Sequence, residues 1–114
     1  AGEWQGLTRA EGEAQYPGYF ASGQRPPGFE PTEVAGERAG NCLIGIGQQL
    51  GGGTALVVSH GGIIRALRVL TGIDDDFAFG NLSGQWFTVT GNTIVAGDVV
   101  ELVPTVRPAS TTPL

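Results

Sequence analysis

The run Thr54-Ala55-Leu56-Val57-Val58, set between Gly53 and Ser59-His60-Gly61-Gly62, restricts the fold more than any other segment. It is of strand length and far too short to span a membrane. Its last four residues are apolar without alternation, the pattern of a strand buried on both faces. Directly after it, Ile63, Ile64, Leu67 and Leu70 recur at helical spacing, Arg65 and Arg68 fall three apart, and Gly72 closes the helix. Before it, Thr32 reads as the N-cap of a longer helix ending near Leu50. Val34, Cys42, Leu43, Ile46 and Leu50 form its apolar stripe, and Gly51 to Gly53 supply the stop. Cys42 falls on that stripe and is assigned to the core. Gly36, Gly40, Gly45 and Gly47 lie inside this helix and each costs about 1 kcal/mol relative to alanine. Such a helix must lean on tertiary packing, with close backbone approach to a neighbour. Helix, buried strand, tight turn and helix together make the grammar of an α/β layer fold.

The flanks follow other rules. Trp86 to Thr90 and Thr93 to Ala96 enclose Gly91-Asn92, a two-residue hairpin signal. Val99 to Val103 is either a third strand or a continuation past a bulge at Gly97-Asp98. Residues 104–114 are expected to form a mobile tail. At the other end, residues 1–31 hold four prolines and little hydrophobic period. Gly2 to Leu7 reads as a turn, and Thr8 with Glu11 makes a capping box for a short helix that stops before Pro17. The segment 14–31, rich in aromatic residues, glycine and proline, is expected to be a lid rather than a core element.

Composition bounds the function. The chain has 114 residues, enough for one domain, with 40% hydrophobic and 15% charged residues, which excludes wholesale disorder. Its net charge is −5, and its basic residues are arginines scattered without a run. That argues against nucleic-acid binding, whose affinity comes from cations neutralising phosphates. A single cysteine excludes an intrachain disulfide framework and a thiolate zinc site. No apolar run is long enough for a membrane span and no signal peptide is visible, so a cytoplasmic location is expected. The chain begins at Ala1 and contains no methionine, so it reads as a processed or cut piece.

His60 is the only histidine. It stands at the carboxyl end of the expected strand, immediately before a helix, where ligands of open α/β sheets bind. The free amides and positive dipole end of the helix make an anion site there, and Gly61 lets backbone approach a phosphate. A histidine in that place can stabilise a transferring phosphoryl group or exchange a proton with it; the alternative is a turn histidine hydrogen-bonded for structural reasons alone. Other motifs carry less. Gly45-x-Gly47 lacks the third glycine of a dinucleotide fingerprint, and Gly51-Gly52-Gly53 lacks the lysine of a P-loop. Asp74-Asp75-Asp76 lacks the spacing of a calcium loop and reads as a solvated run. Asn81-Leu82-Ser83 is a glycosylation sequon only in a secretory context.

Three blocks taken in order carry a resemblance. Gly2-Glu3-Trp4-Gln5-Gly6-Leu7-Thr8, then Pro26-Pro27-Gly28-Phe29-Glu30 with Arg38 following, then Val57-Val58-Ser59-His60-Gly61-Gly62-Ile63-Ile64-Arg65-Ala66-Leu67, resemble the histidine phosphatase (phosphoglycerate-mutase-like) superfamily. The resemblance implies an α/β fold, here part of a three-layer α/β/α sandwich with a mainly parallel sheet and a C-terminal β-hairpin. Residues 1–103 would be the C-terminal half of one such domain. It also implies phosphomonoester hydrolysis through a phosphohistidine, with no cofactor and no metal. His60 matches the family's second histidine, and the Gly61 amide would add a hydrogen bond to the phosphate. The nucleophilic histidine of the family lies in an Arg-His-Gly motif, which this chain lacks, and Phe29-Glu30-Pro31 stands where the family has Gly-Glu-Ser. Substrate choice in the family is set in the lid, where Arg25 is a candidate for a substrate anion or else a solvated arginine, and Trp4 reads as a packing residue at the pocket rim. The implied partners are a small phosphorylated metabolite and either the N-terminal half of the domain or a second copy of the chain. The alternatives are a non-catalytic, self-associating fragment and mutase-type phosphoryl transfer.

Overall fold

A computed structural model describes residues 1–75 and 77–102. The expected tail, 104–114, lies outside the described residues. The chain divides into two compact units, one containing residues 1–31 and the other residues 32–105.

In the first unit, a 3-10 turn at Gly2–Trp4 leads into helix α1, Arg9–Gln15. The Thr8 side chain accepts from the Glu11 amide and the Glu11 carboxylate accepts from the Thr8 amide, so the capping box expected from sequence is complete. The helix ends at Tyr16, ahead of Pro17. The segment 16–31 holds one element, the single-turn helix α2, Tyr19–Ser22, between the left-handed glycines Gly18 and Gly23. Trp4 is buried, stacked on Phe20 at 4.4 Å between ring centroids and meeting Phe29 edge-on at 5.9 Å. Gly2 makes this closure possible. A Cβ there would stand 2.3 Å from the Phe29 nitrogen and 2.6 Å from the Pro27 oxygen, and the Glu3 amide donates to that oxygen.

The second unit is built on helices α3, Thr32–Leu50, and α4, Gly61–Leu70, with a hairpin of β1, Ser83–Thr90, and β2, Thr93–Glu101. The stripe of large residues on α3 is only part-covered, with Leu43 and Ile46 half-buried, and the fully buried positions lie elsewhere. Ala35, Gly36 and Gly40 are buried, whereas Val34 and Leu50 are about half exposed and Cys42 is exposed, so its assignment to the core is corrected. Close approach explains the choice. A Cβ on Gly36 would stand 2.6 Å from the Ala66 carbonyl oxygen of α4, and one on Gly40 2.6 Å from Leu70 Cδ2. Helix α3 ends where Gly51 takes φ of +62° and its amide donates to the Gly47 oxygen.

Helix α4 ends in a Schellman arrangement: the Ile73 amide donates to the Arg68 oxygen, the Gly72 amide to the Val69 oxygen, and Gly72 is left-handed. In the hairpin, Thr90 pairs with Thr93 and Gly91 takes a positive φ at the first turn position. Register shifts between Gln85 and Phe87, so Gly97-Asp98 oppose Trp86 and β2 continues past a bulge rather than ending. Alternation of burial along β2 breaks at the same two residues.

One expectation fails in this unit. Thr54–Val58 forms no strand, and Leu56 and Val58 are 91% and 85% exposed. A parallel strand needs a neighbour for its amides and carbonyls and an apolar layer on each face. Among the described residues the one sheet is the antiparallel pair β1–β2, so the chain is α/β with four helices but supplies neither requirement to this segment. No helix among the described residues is long and apolar enough to cross a membrane.

Candidate active site

His60 is the N-cap of α4. Its backbone is extended, with φ −118° and ψ 156°, and its carbonyl accepts from the amides of Ile63 and Ile64 at 3.0 and 3.1 Å. The imidazole makes no capping hydrogen bond and the residue is exposed. This removes one structural reading, in which the ring would cap its own helix. Gly61 and Gly62 form the first turn, whose amides have no acceptor within a helix and concentrate its positive dipole end. The sequence places no side chain on either residue, so an anion can reach these amides directly. A histidine ring beside two such amides can donate to, and exchange protons with, a phosphoryl oxygen.

The wall of this turn comes from the segment after α4. Phe79 lies against Gly61, where a Cβ would meet its Cβ at 3.6 Å and its carbonyl oxygen at 3.9 Å. Phe79 in turn packs edge-on against Phe77 at 4.8 Å. Beneath the two rings lies Arg68, only 5% exposed, its guanidinium 5.4 Å from the Phe77 centroid and 5.6 Å from that of Phe79. Arg68 Nη1 donates to Gln85 Oε1 at 2.8 Å and Nη2 to the carboxylate of Asp75. The other oxygen of Asp75 accepts from the Phe77 amide at 3.1 Å. Asp75 is therefore the partner of a buried arginine rather than a member of a merely solvated run. Sequence reasoning missed this arginine, although a signal was present. Arg68 falls four residues after Ile64 and beside Leu67, on the apolar side of α4, where a charge must find partners.

Arg25 belongs to the first unit. Its guanidinium lies 5.2 Å from the Phe29 centroid and 5.9 Å from that of Trp4, an aromatic seat that orients a lid arginine without enclosing it. Arg9 makes a similar contact with Phe20 at 4.5 Å. Trp4 packs as expected, and its buried Nε1 has no hydrogen-bond partner. Tyr16 donates to the Glu3 carboxylate, which raises the pKa of its phenol above 10 because the hydrogen bond and the nearby negative charge both favour the neutral form. Among the described residues, no three His, Cys, Asp or Glu side chains gather in a way that would hold a metal ion.

The model of the histidine phosphatase superfamily (branch 1) matches residues 1–94, and the chain belongs to that superfamily. No curated protein and no solved structure matches it.

Proposed function

We propose that the chain forms part of a phosphomonoesterase that acts on a small phosphorylated metabolite through a phosphohistidine. The observation that carries this reading is His60, side chain exposed, at the start of a helix whose first two residues are glycines, in a chain of the histidine phosphatase superfamily. In this reaction an imidazole nitrogen of the nucleophilic histidine attacks phosphorus and the ester P–O bond breaks. The leaving oxygen takes a proton from an acidic donor. Water then attacks the phosphohistidine, and inorganic phosphate and free imidazole result. His60 and the amides of Gly61 and Gly62 bind the equatorial oxygens whose charge grows in each transition state. Transfer of the phosphoryl group to an acceptor other than water would use the same residues.

His60 is the only histidine of these 114 residues, so the nucleophile lies outside them, in an N-terminal half of the domain that bears the Arg-His-Gly motif. The exposed Leu56, Val57 and Val58 support this, because they supply the apolar edge that a strand of that half would pair with, completing a parallel sheet between helical layers. The same exposure favours a second reading, a fragment without activity that pairs with its own copy. Intact mass of the native protein, with hydrolysis of p-nitrophenyl phosphate by wild type and His60→Ala, separates the two. A second species carrying Arg-His-Gly and a loss of several orders of magnitude in rate are expected for the enzyme. Near-normal turnover in His60→Ala refutes the catalytic role, and a single inactive, self-associated species supports the fragment.

A further inference from the structure

We propose that Arg68 is a positioning residue that holds the first turn of α4 in shape for phosphate; the inference rests on the reading of His60, Gly61 and Gly62 just given. Arg68 sits in the second half of α4, and helical side chains lean towards the helix start. Its guanidinium is held by Gln85 and by Asp75 and lies 5.4 and 5.6 Å from the ring centroids of Phe77 and Phe79. Asp75 holds both Arg68 and the Phe77 amide, so one carboxylate ties the buried cation to the residue that packs on Phe79. The Cβ and carbonyl of Phe79 stand beside Gly61, 3.6 and 3.9 Å from where a Cβ on that glycine would lie. Gln85 extends the same chain outwards, donating from Nε2 to the Gly97 oxygen at 3.0 Å, beside the bulge. Thus the hairpin, the 75–79 segment and the first turn of α4 share one buried cation. A lysine replaces it only in part, because one ammonium lacks the planar fork that reaches two acceptors at once.

The role is one of geometry. Anion-binding amides must converge on one point, and a first turn free to fray would lose that convergence although His60 remained in place. Phe79 faces the first turn through its Cβ and carbonyl, which alanine keeps, so Phe79→Ala acts at Gly61 only by releasing the ring from Phe77 and Arg68, as Arg68→Met does.

The test is a titration of the 114-residue chain with inorganic phosphate, followed by amide resonances, in wild type, Arg68→Lys, Arg68→Met and Phe79→Ala. In wild type, phosphate is expected to shift the Gly61 and Gly62 amides. In Arg68→Met the contact between Phe79 and Gly61 is lost and the dissociation constant rises by about tenfold or more, while contacts between Gly36 and Ala66 persist. Arg68→Lys falls between, and Phe79→Ala reproduces Arg68→Met. Unchanged affinity in Arg68→Met or, if that variant fails to fold, in Phe79→Ala overturns the positioning role and leaves the phosphate site standing. No response of the Gly61 and Gly62 amides in wild type overturns the site itself, and the positioning role with it.

Discussion

Replacing Gly36 by alanine tests the central packing of the second unit, because two effects of known size oppose each other there. Alanine gains about 1 kcal/mol over glycine within a helix. At Gly36, however, the new Cβ would stand 2.6 Å from the Ala66 oxygen and 3.2 Å from its carbonyl carbon. Both are backbone atoms of α4, so no rotamer change can clear them and the helices must separate. Overpacking of this kind costs about 1–3 kcal/mol. Gly45 provides the control. It lies in the same helix with nothing within 4 Å of a Cβ, so Gly45→Ala should show the propensity gain alone. The steric cost alone separates the two, placing Gly36→Ala about 1–3 kcal/mol below Gly45→Ala in stability. Urea unfolding followed by far-ultraviolet circular dichroism reads the difference as a shift of midpoint at constant slope. Equal stabilisation by both substitutions would refute the close crossing of α3 and α4.

Two further outcomes concern the first unit. Thr8→Ala removes the acceptor for the Glu11 amide and should destabilise α1 by about 1 kcal/mol, seen as faster hydrogen exchange at Glu11 and Gly12, with α3 unaffected. Tyr16 should ionise above pH 10 in an ultraviolet titration, and Glu3→Gln should bring it back towards the ordinary value. Because the folded-state pKa is raised, the stabilisation from this hydrogen bond is fully present below pH 10 and is lost as pH rises through the folded-state value. An unshifted titration in wild type would mean that the Tyr16 to Glu3 contact does not persist in solution.

Local chemistry was the most legible part of the sequence. Thr8 with Glu11, Gly51 after α3, Gly72 after α4 and Gly91 in the hairpin each do what their residue type requires, since caps and turns are decided by neighbours within a few positions. His60 at a helix start was legible for the same reason. Burial was less so, because it depends on what lies opposite. The stripe of Val34, Cys42, Leu43, Ile46 and Leu50 predicts the inner face of α3, but the fully buried positions are Ala35, Gly36 and Gly40, and α4 comes too close to Gly36 and Gly40 for a Cβ at either. Thr54–Val58 carries the composition of a covered strand, and the described residues supply neither neighbour nor cover. Arg68 was hidden because a charge is ordinarily placed outside, and its partners Asp75 and Gln85 lie 7 and 17 residues away.

The two tryptophans give the chain a built-in optical label for each unit. Trp4 is enclosed by Phe20 and Phe29, while Trp86, 56% exposed, stands opposite the bulge at Gly97-Asp98. Their emission should differ in colour, with the enclosed indole blue and the wetted one red. Unfolding of the first unit would redden the spectrum, whereas unfolding of the second would barely move it. Trp86→Phe then isolates the Trp4 signal, and its emission set beside far-ultraviolet circular dichroism reports whether the first unit opens ahead of the helices of the second.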